Sequence, residues 1–125
     1  MNTSPFIAPE LRVEQWIDEK GKIREALKLR ESKGKHKIIY CFQHWCPGCH
    51  SAGLPALQKL VQSFKGSDKI AFMAIQTVFE GEHTNTFERL RETQLKYQLE
   101  IPFGHDPGKG RSTIMEDYQT GGTPW

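Results

Sequence analysis

No stretch of this sequence approaches the ~20 consecutive apolar residues that a membrane-crossing helix needs, so a transmembrane anchor of that kind is not expected. Charge of one sign is also missing. Lys and Arg number 17 against 15 Asp and Glu, a net charge of +2. That is far from the basic stripe required to hold a phosphate backbone, and neither nucleic acid nor a membrane surface is expected as a partner. The three cysteines are too few, and odd in number, for a disulfide framework. Met1 to Pro9 holds no basic residue and no apolar stretch of leader length. The expected compartment is therefore the cytoplasm, or the periplasm if a leader has been removed. Repeats and low-complexity segments are absent.

What is present is enough for one small globular unit. With 125 residues, 37% of them hydrophobic, the chain reads as a single domain over 1–125. Leu11, Val13, Trp16 and Ile17 mark a short segment that is strand or turn. Ile23, Ala26, Leu27 and Arg30 recur at helical spacing, which predicts a helix over 22–31 ended by Gly34. Lys33, Lys35 and Lys37, with His36, form a solvated flank to the next strand.

Ile38 to Phe42 is a continuous apolar run, the signature of a buried strand. Leu54, Leu57, Leu60, Val61 and Phe64 predict one face of a helix over 49–64, kinked at Pro55. Ile70 to Phe79 reads as a second buried strand. Residues 84–99 predict a helix capped by Thr84 or Asn85, with Phe87, Leu90, Leu95 and Leu99 inward. A Pro/Gly-rich loop over 102–110 and a short helix over 112–118 complete the pattern. Strand, helix, strand, helix, short helix is an α/β order with parallel strands.

The chemistry concentrates at His44-Trp45-Cys46-Pro47-Gly48-Cys49-His50, between the first buried strand and the helix. A thiolate at a helix N-terminus is stabilised by unpaired N–H groups and the helix dipole. Cys46, the more N-terminal and more exposed, is the expected nucleophile. Cys49 is the expected resolving thiol, close enough to release a mixed disulfide. Pro47 presets φ for the helix start. Trp45 offers an apolar wall beside the sulfur and a surface for substrate. Cys41 reads as a small buried hydrophobe.

Strand, W-C-x-x-C and kinked helix together resemble the thioredoxin superfamily. Tyr118-Gln119-Thr120-Gly121-Gly122-Thr123-Pro124 resembles its Y-x-x-x-G-x-P segment. Ala8-Pro9-Glu10-Leu11 is similar to the opening of the branch that includes periplasmic thiol reductases and peroxiredoxin relatives. The resemblance spans residues 8–125. It implies an α/β thioredoxin-like fold, a central mixed sheet flanked by helices. It also implies a cis peptide at Pro124, with Thr123 and Pro124 binding substrate beside the dithiol. The implied activity is thiol–disulfide exchange on disulfide-containing proteins or small thiols, in an antioxidant or redox role, with no bound cofactor or metal.

Three departures from the family pattern stand out. Tyr40 occupies the place of a buried Asp that shuttles the resolving thiol's proton, leaving water or an acid such as Glu80 or Glu82. The dipeptide between the cysteines is Pro-Gly instead of Gly-Pro. The chain stops just past the cis-proline position, where the usual fold adds a strand pair and a helix. An exposed sheet edge and a strand-exchanged or weak dimer are therefore expected.

Competing chemistries use the same residues. C-x-x-C-H is also a haem-attachment motif with His50 as ligand. Two of His44, His50, His83 and His105 could join the cysteines around zinc. The same two flanking imidazoles, His44 and His50, could instead support the Cys46 thiolate. A peroxidase needs a Thr or Ser three residues before its cysteine and a Pro seven before, where this chain has Gln43 and Ile39. A binding module with an idle dithiol is the non-enzymatic alternative. Phe79 and Trp125 could add apolar surface around the site.

Overall fold

A computed structural model describes residues 7–125 of the chain, so the first six residues of the expected 1–125 domain lie outside the described residues. The strands are β1 (Gln15–Ile17), β2 (Ile23–Arg24), β3 (His36–Phe42), β4 (Ile70–Thr77) and β5 (Phe103–Asp106). They form one sheet in the order β2-β1-β5-β4-β3. β3, β4 and β5 run parallel, while β1 is antiparallel to both β5 and β2. The helices are α1 (Leu54–Ser63), preceded by a π-turn over Cys49–Gly53, then α2 (Leu90–Lys96) and α3 (Thr113–Tyr118). The mixed, helix-flanked sheet implied by the resemblance is the observed architecture.

The continuous apolar runs are buried because both sheet faces are covered. Alternate side chains feed two cores. Phe42, Ala74 and Phe103 pack with Leu54, Leu57 and Leu90 of the helices on one face, and the two active-region cysteines belong to the same cluster. Cys41, Met73 and Ile75 face the other way, toward Trp16, Leu11 and Ile114. Each fully buried large side chain, such as Trp16, Phe42 or Phe103, contributes about 2–3 kcal/mol of burial free energy.

Several local expectations are corrected. Residues 22–31 are not a helix: Ile23–Arg24 is a strand and Leu29–Ser32 a 3-10 turn. The Asp18 carboxylate accepts from the Lys20 and Lys22 N–H groups at 2.9 Å each, and Gly21 adopts φ +84°. That turn folds the segment back against β1, and tertiary pairing overrides the helical spacing. The loop expected over 102–110 contains β5. Phe103-Gly104-His105-Asp106 has no apolar run to announce it, yet all four residues are buried. Gly104 is required there because a Cβ would lie 3.0 Å from three Trp16 ring atoms.

The helix expected over 84–99 is a 3-10 turn at Phe87–Arg89 followed by α2. It stops early because Gln98 takes φ +52°, with Leu99 N–H donating to the Gln94 carbonyl at 2.9 Å and Gln98 N–H to Leu95 at 3.1 Å. This is a Schellman C-cap built on glutamine instead of glycine. Neither Thr84 nor Asn85 caps it, and Leu95 faces solvent. Leu60 on α1 and Phe64 just past its end also lie at the surface, leaving Leu54 and Leu57 as the buried residues of the helix.

Candidate active site

β3 delivers the chain to the carboxyl edge of the sheet, and the backbone is helical from Pro47 onward. Pro55 cannot donate the N–H that an α-helix requires and crowds the preceding turn. The helix answers with a π-turn, in which Leu54 N–H donates to the Cys49 carbonyl. The expected kink at Pro55 is thus a π-bulge immediately behind the dithiol.

Cys46 and Cys49 form a disulfide with a Cα–Cα distance of 5.3 Å. Cys46 retains 8% of its surface and Cys49 none, so the two sulfurs differ in access. The Cys49 N–H lies 3.2 Å from Cys46 Sγ, and the Thr123 hydroxyl 3.5 Å from it. The Thr123–Pro124 bond is cis. Pro124 abuts the start of the helix, with its ring 3.4 Å from where a Cβ on Gly48 would stand. Trp125 N–H and carbonyl exchange hydrogen bonds of 3.0 Å with Cys41 on β3. Pro47 lies between the cysteines, and Trp45, next to Cys46, and Trp125, next to Pro124, are 64% and 61% exposed. All six site residues read from the sequence are therefore in one neighbourhood.

Three side-chain amides that sequence reading missed hold the segment leading into Cys46. Gln43 Oε1 accepts from the N–H groups of Phe79 and Glu80 at 3.1 and 3.4 Å. Gln76 Oε1 accepts from His44 N–H at 2.8 Å. Asn85 Oδ1 accepts from Trp45 N–H at 2.8 Å while its Nδ2 donates to the Glu80 carbonyl. All three amides are buried. The available signal was Gln76 itself, a polar residue within an otherwise apolar strand, since buried polar groups are retained only where they are paired.

Both flanking histidines are hydrogen-bonded. His50 Nε2 lies 2.6 Å from the His44 carbonyl and so carries a proton, while Nδ1 lies 2.7 Å from the Tyr97 hydroxyl. Both ring nitrogens are engaged, and the ring is not available as a haem ligand. His44 Nδ1 lies 3.3 Å from the Thr93 hydroxyl and Nε2 3.8 Å from Glu92. Both rings thus tie the segment around the dithiol to α2 and Tyr97. Burial lowers the His44 pKa, and Glu92 opposes the shift. Among the described residues, no group of three or more His, Cys, Asp or Glu gathers where a metal could bind.

Tyr40 projects toward the π-bulge. A Cβ on Gly53 would overlap its hydroxyl, which is buried and has no hydrogen-bond partner. Burial, and then Tyr97, raise the Tyr40 pKa far above the ordinary phenol value, so the phenol is no base at neutral pH. Burial likewise pushes the Cys41 thiol up to about 12, as a structural cysteine requires.

A model of the AhpC/TSA family matches residues 7–124. A thioredoxin-like superfamily protein of known structure shares 34% identity at a TM-score of 0.78, over 94% of this chain and 74% of its own length. A thiol-disulfide isomerase from Corynebacterium glutamicum shares 27% identity at a TM-score of 0.75, over 94% and 75%. A thiol-disulfide oxidoreductase from Bacteroides fragilis shares the fold at 18% identity and a TM-score of 0.65, over 94% of this chain and 77% of its own. No curated protein matches the chain.

Proposed function

The chain belongs to the AhpC/TSA family, within the thioredoxin superfamily, and on that premise we propose that it is a thiol–disulfide oxidoreductase with Cys46 attacking and Cys49 resolving. The observation that carries the reading is the Cys46–Cys49 disulfide at a helix start, with the Thr123 hydroxyl and cis Pro124 against it. The resemblance to a thiol-disulfide isomerase supports the same chemistry.

In the reducing direction, Cys46 thiolate attacks one sulfur of a partner disulfide. A Cys46–partner S–S bond forms, and the other partner sulfur leaves as thiolate. Cys49 then gives up its proton and attacks Cys46 Sγ. The Cys46–Cys49 disulfide forms and the second partner thiol departs, so two electrons have moved to the partner. Cys46 attacks because it alone retains exposure, and buried Cys49 reaches only the sulfur beside it. The Cys49 N–H and Thr123 hydroxyl, already near Cys46 Sγ, stabilise the attacking thiolate. Trp45 and Trp125 supply apolar surface for the partner chain, which is a disulfide-containing protein or a small thiol.

The test is trapping. Cys49→Ser, mixed with glutathione disulfide or an oxidised protein, should accumulate a stable adduct at Cys46, and Cys46→Ser should form none. An adduct on neither variant means a binding module with an idle dithiol. A peroxidase reading is disfavoured by position 43, where the amide oxygen of Gln43 is committed to the Phe79 and Glu80 N–H groups. β3 is an edge strand that meets Trp125 at Cys41. Weak self-association through that edge is part of the same proposal, and sedimentation at rising concentration checks it.

A further inference from the structure

Phe42, Gln76, His105 and Gln15 are register partners in one row across β3, β4, β5 and β1, at the edge of the sheet that carries the dithiol. Two of them are buried polar residues that the disulfide chemistry does not use directly. The Gln76 amide is fully engaged. Its Oε1 accepts from His44 N–H at 2.8 Å, and its Nε2 donates to the Thr86 carbonyl at 3.0 Å and lies 3.1 Å from His105 Nδ1.

This geometry fixes protons as well as atoms. His44 N–H can only donate and the Thr86 carbonyl can only accept, so the amide has one permitted orientation, with its NH2 toward His105. His105 Nδ1 must therefore accept, which makes the imidazole neutral with its proton on Nε2. A protonated His105 would set an N–H against the amide NH2. Turning the amide to satisfy that N–H would place oxygen against the Thr86 carbonyl and NH2 against His44 N–H, losing both bonds. The bond that holds the backbone two residues ahead of Cys46 and the charged form of His105 therefore exclude each other.

We propose that Gln76, oriented by neutral His105, is a positioning residue for Cys46 and makes the reactivity of the dithiol sensitive to protonation of His105. The inference rests on Cys46 being the attacking thiol and adds a group that acts on it through the backbone. The charged and titratable groups around His105 are its neighbour Asp106, Glu88 on the 3-10 turn, and the His44 imidazole beyond Gln76; Gln15, its partner on β1, is uncharged. Asp106 is occupied on the α3 side, accepting from the Thr113 hydroxyl and the Ile114 N–H at 2.7 Å each. Burial lowers the His105 pKa, against smaller opposing effects of Asp106 and Glu88, so the neutral form prevails at neutral pH.

The experiment measures the rate of Cys46 alkylation by iodoacetamide in the reduced protein from acid to alkaline pH, beside the equilibrium of the dithiol with glutathione. Wild type should show, besides the thiol ionisation, an acid-side step in which reactivity falls more steeply than loss of thiolate allows. His105→Gln should keep the thiol ionisation and lose that step. Gln76→Met should shift the dithiol–disulfide balance from that of the wild type by about fivefold, the value of one net hydrogen bond of about 1 kcal/mol. A wild-type profile with the thiol ionisation alone, or an acid-side step that survives in His105→Gln, overturns the inference. So does a Gln76→Met protein that titrates as wild type does. Should Gln76→Met fail to fold, the His105→Gln profile decides. A wild type with no dithiol–disulfide transition at all would instead remove the oxidoreductase reading.

Discussion

Tyr40 and Gly53 meet directly behind the dithiol. A buried phenol hydroxyl without a partner stands where the family pattern has a buried acid, and it fits only because residue 53 lacks a Cβ. Gly53→Ala should destabilise by about 1–3 kcal/mol through overpacking, measured by denaturant unfolding. Tyr40→Phe removes an unsatisfied group and should be neutral or stabilising by up to about 1 kcal/mol. Gly53→Ala should cost less in the Tyr40→Phe background than alone. Tyr40→Phe should also leave turnover near wild type, since the phenol carries no titration in the working range. Cys41 gives a second test at this scale. Buried and with its thiol pushed up to about 12, it should resist alkylation in the native reduced protein and react only after unfolding, leaving label on Cys46 alone or on Cys46 and Cys49.

At the scale of elements, the sequence was most legible where a single pattern decided the outcome. β3, β4 and the helix after Cys49 follow from apolar runs and 3.6-residue spacing, and α3 begins at the Ser112 cap, whose Oγ accepts from Met115 N–H. The dithiol stands out by its local spacing and flanks, whereas the place of Thr123 and Pro124 beside it came only from the family resemblance. What stayed hidden depends on distant partners. β5 is recognisable only once Trp16 lies across Gly104 and α3 caps onto Asp106. The early stop of α2 rests on a left-handed Gln98, a residue type that does not advertise a C-cap. The amide clamp of Gln43, Gln76 and Asn85 joins β3, β4 and the loop after it, and no short window contains it. Asp106→Ala should unseat α3 from β5 and cost about 2–3 kcal/mol, because it strands the buried Ile114 N–H. A calorimetric Tm unchanged by that substitution would contradict the assignment.

For the whole molecule, ionisation links the site to stability. His44 and His105 have folded-state pKa values below their unfolded ones, His105 chiefly through burial. The unfolded chain therefore binds more protons, and stability falls as pH drops through and below the ordinary histidine value of about 6.5. Glu10 and Glu31, held low by hydrogen bonds to the Leu29 N–H and to Arg24 respectively, contribute stability above the usual carboxylate range that is lost as pH falls through their folded values. Both effects have the same sign. Tm should decline on acidification in two stages, the first near the histidine range and the second near the carboxylate range, and His105→Gln should flatten the first. A Tm that is constant from neutral pH down to the carboxylate range would contradict the buried neutral histidines.

The central claim is that Cys46 and Cys49 are a working redox pair, and the most direct test is to equilibrate the protein across graded thiol–disulfide buffers, alkylate, and read the dithiol fraction by mass. The account predicts one reversible two-electron transition, abolished by Cys46→Ser, with Cys41 unchanged throughout; its midpoint sets the direction in which electrons flow in the cell. A dithiol–disulfide ratio that does not follow the buffer, or that follows it equally well through Cys41, would contradict the account.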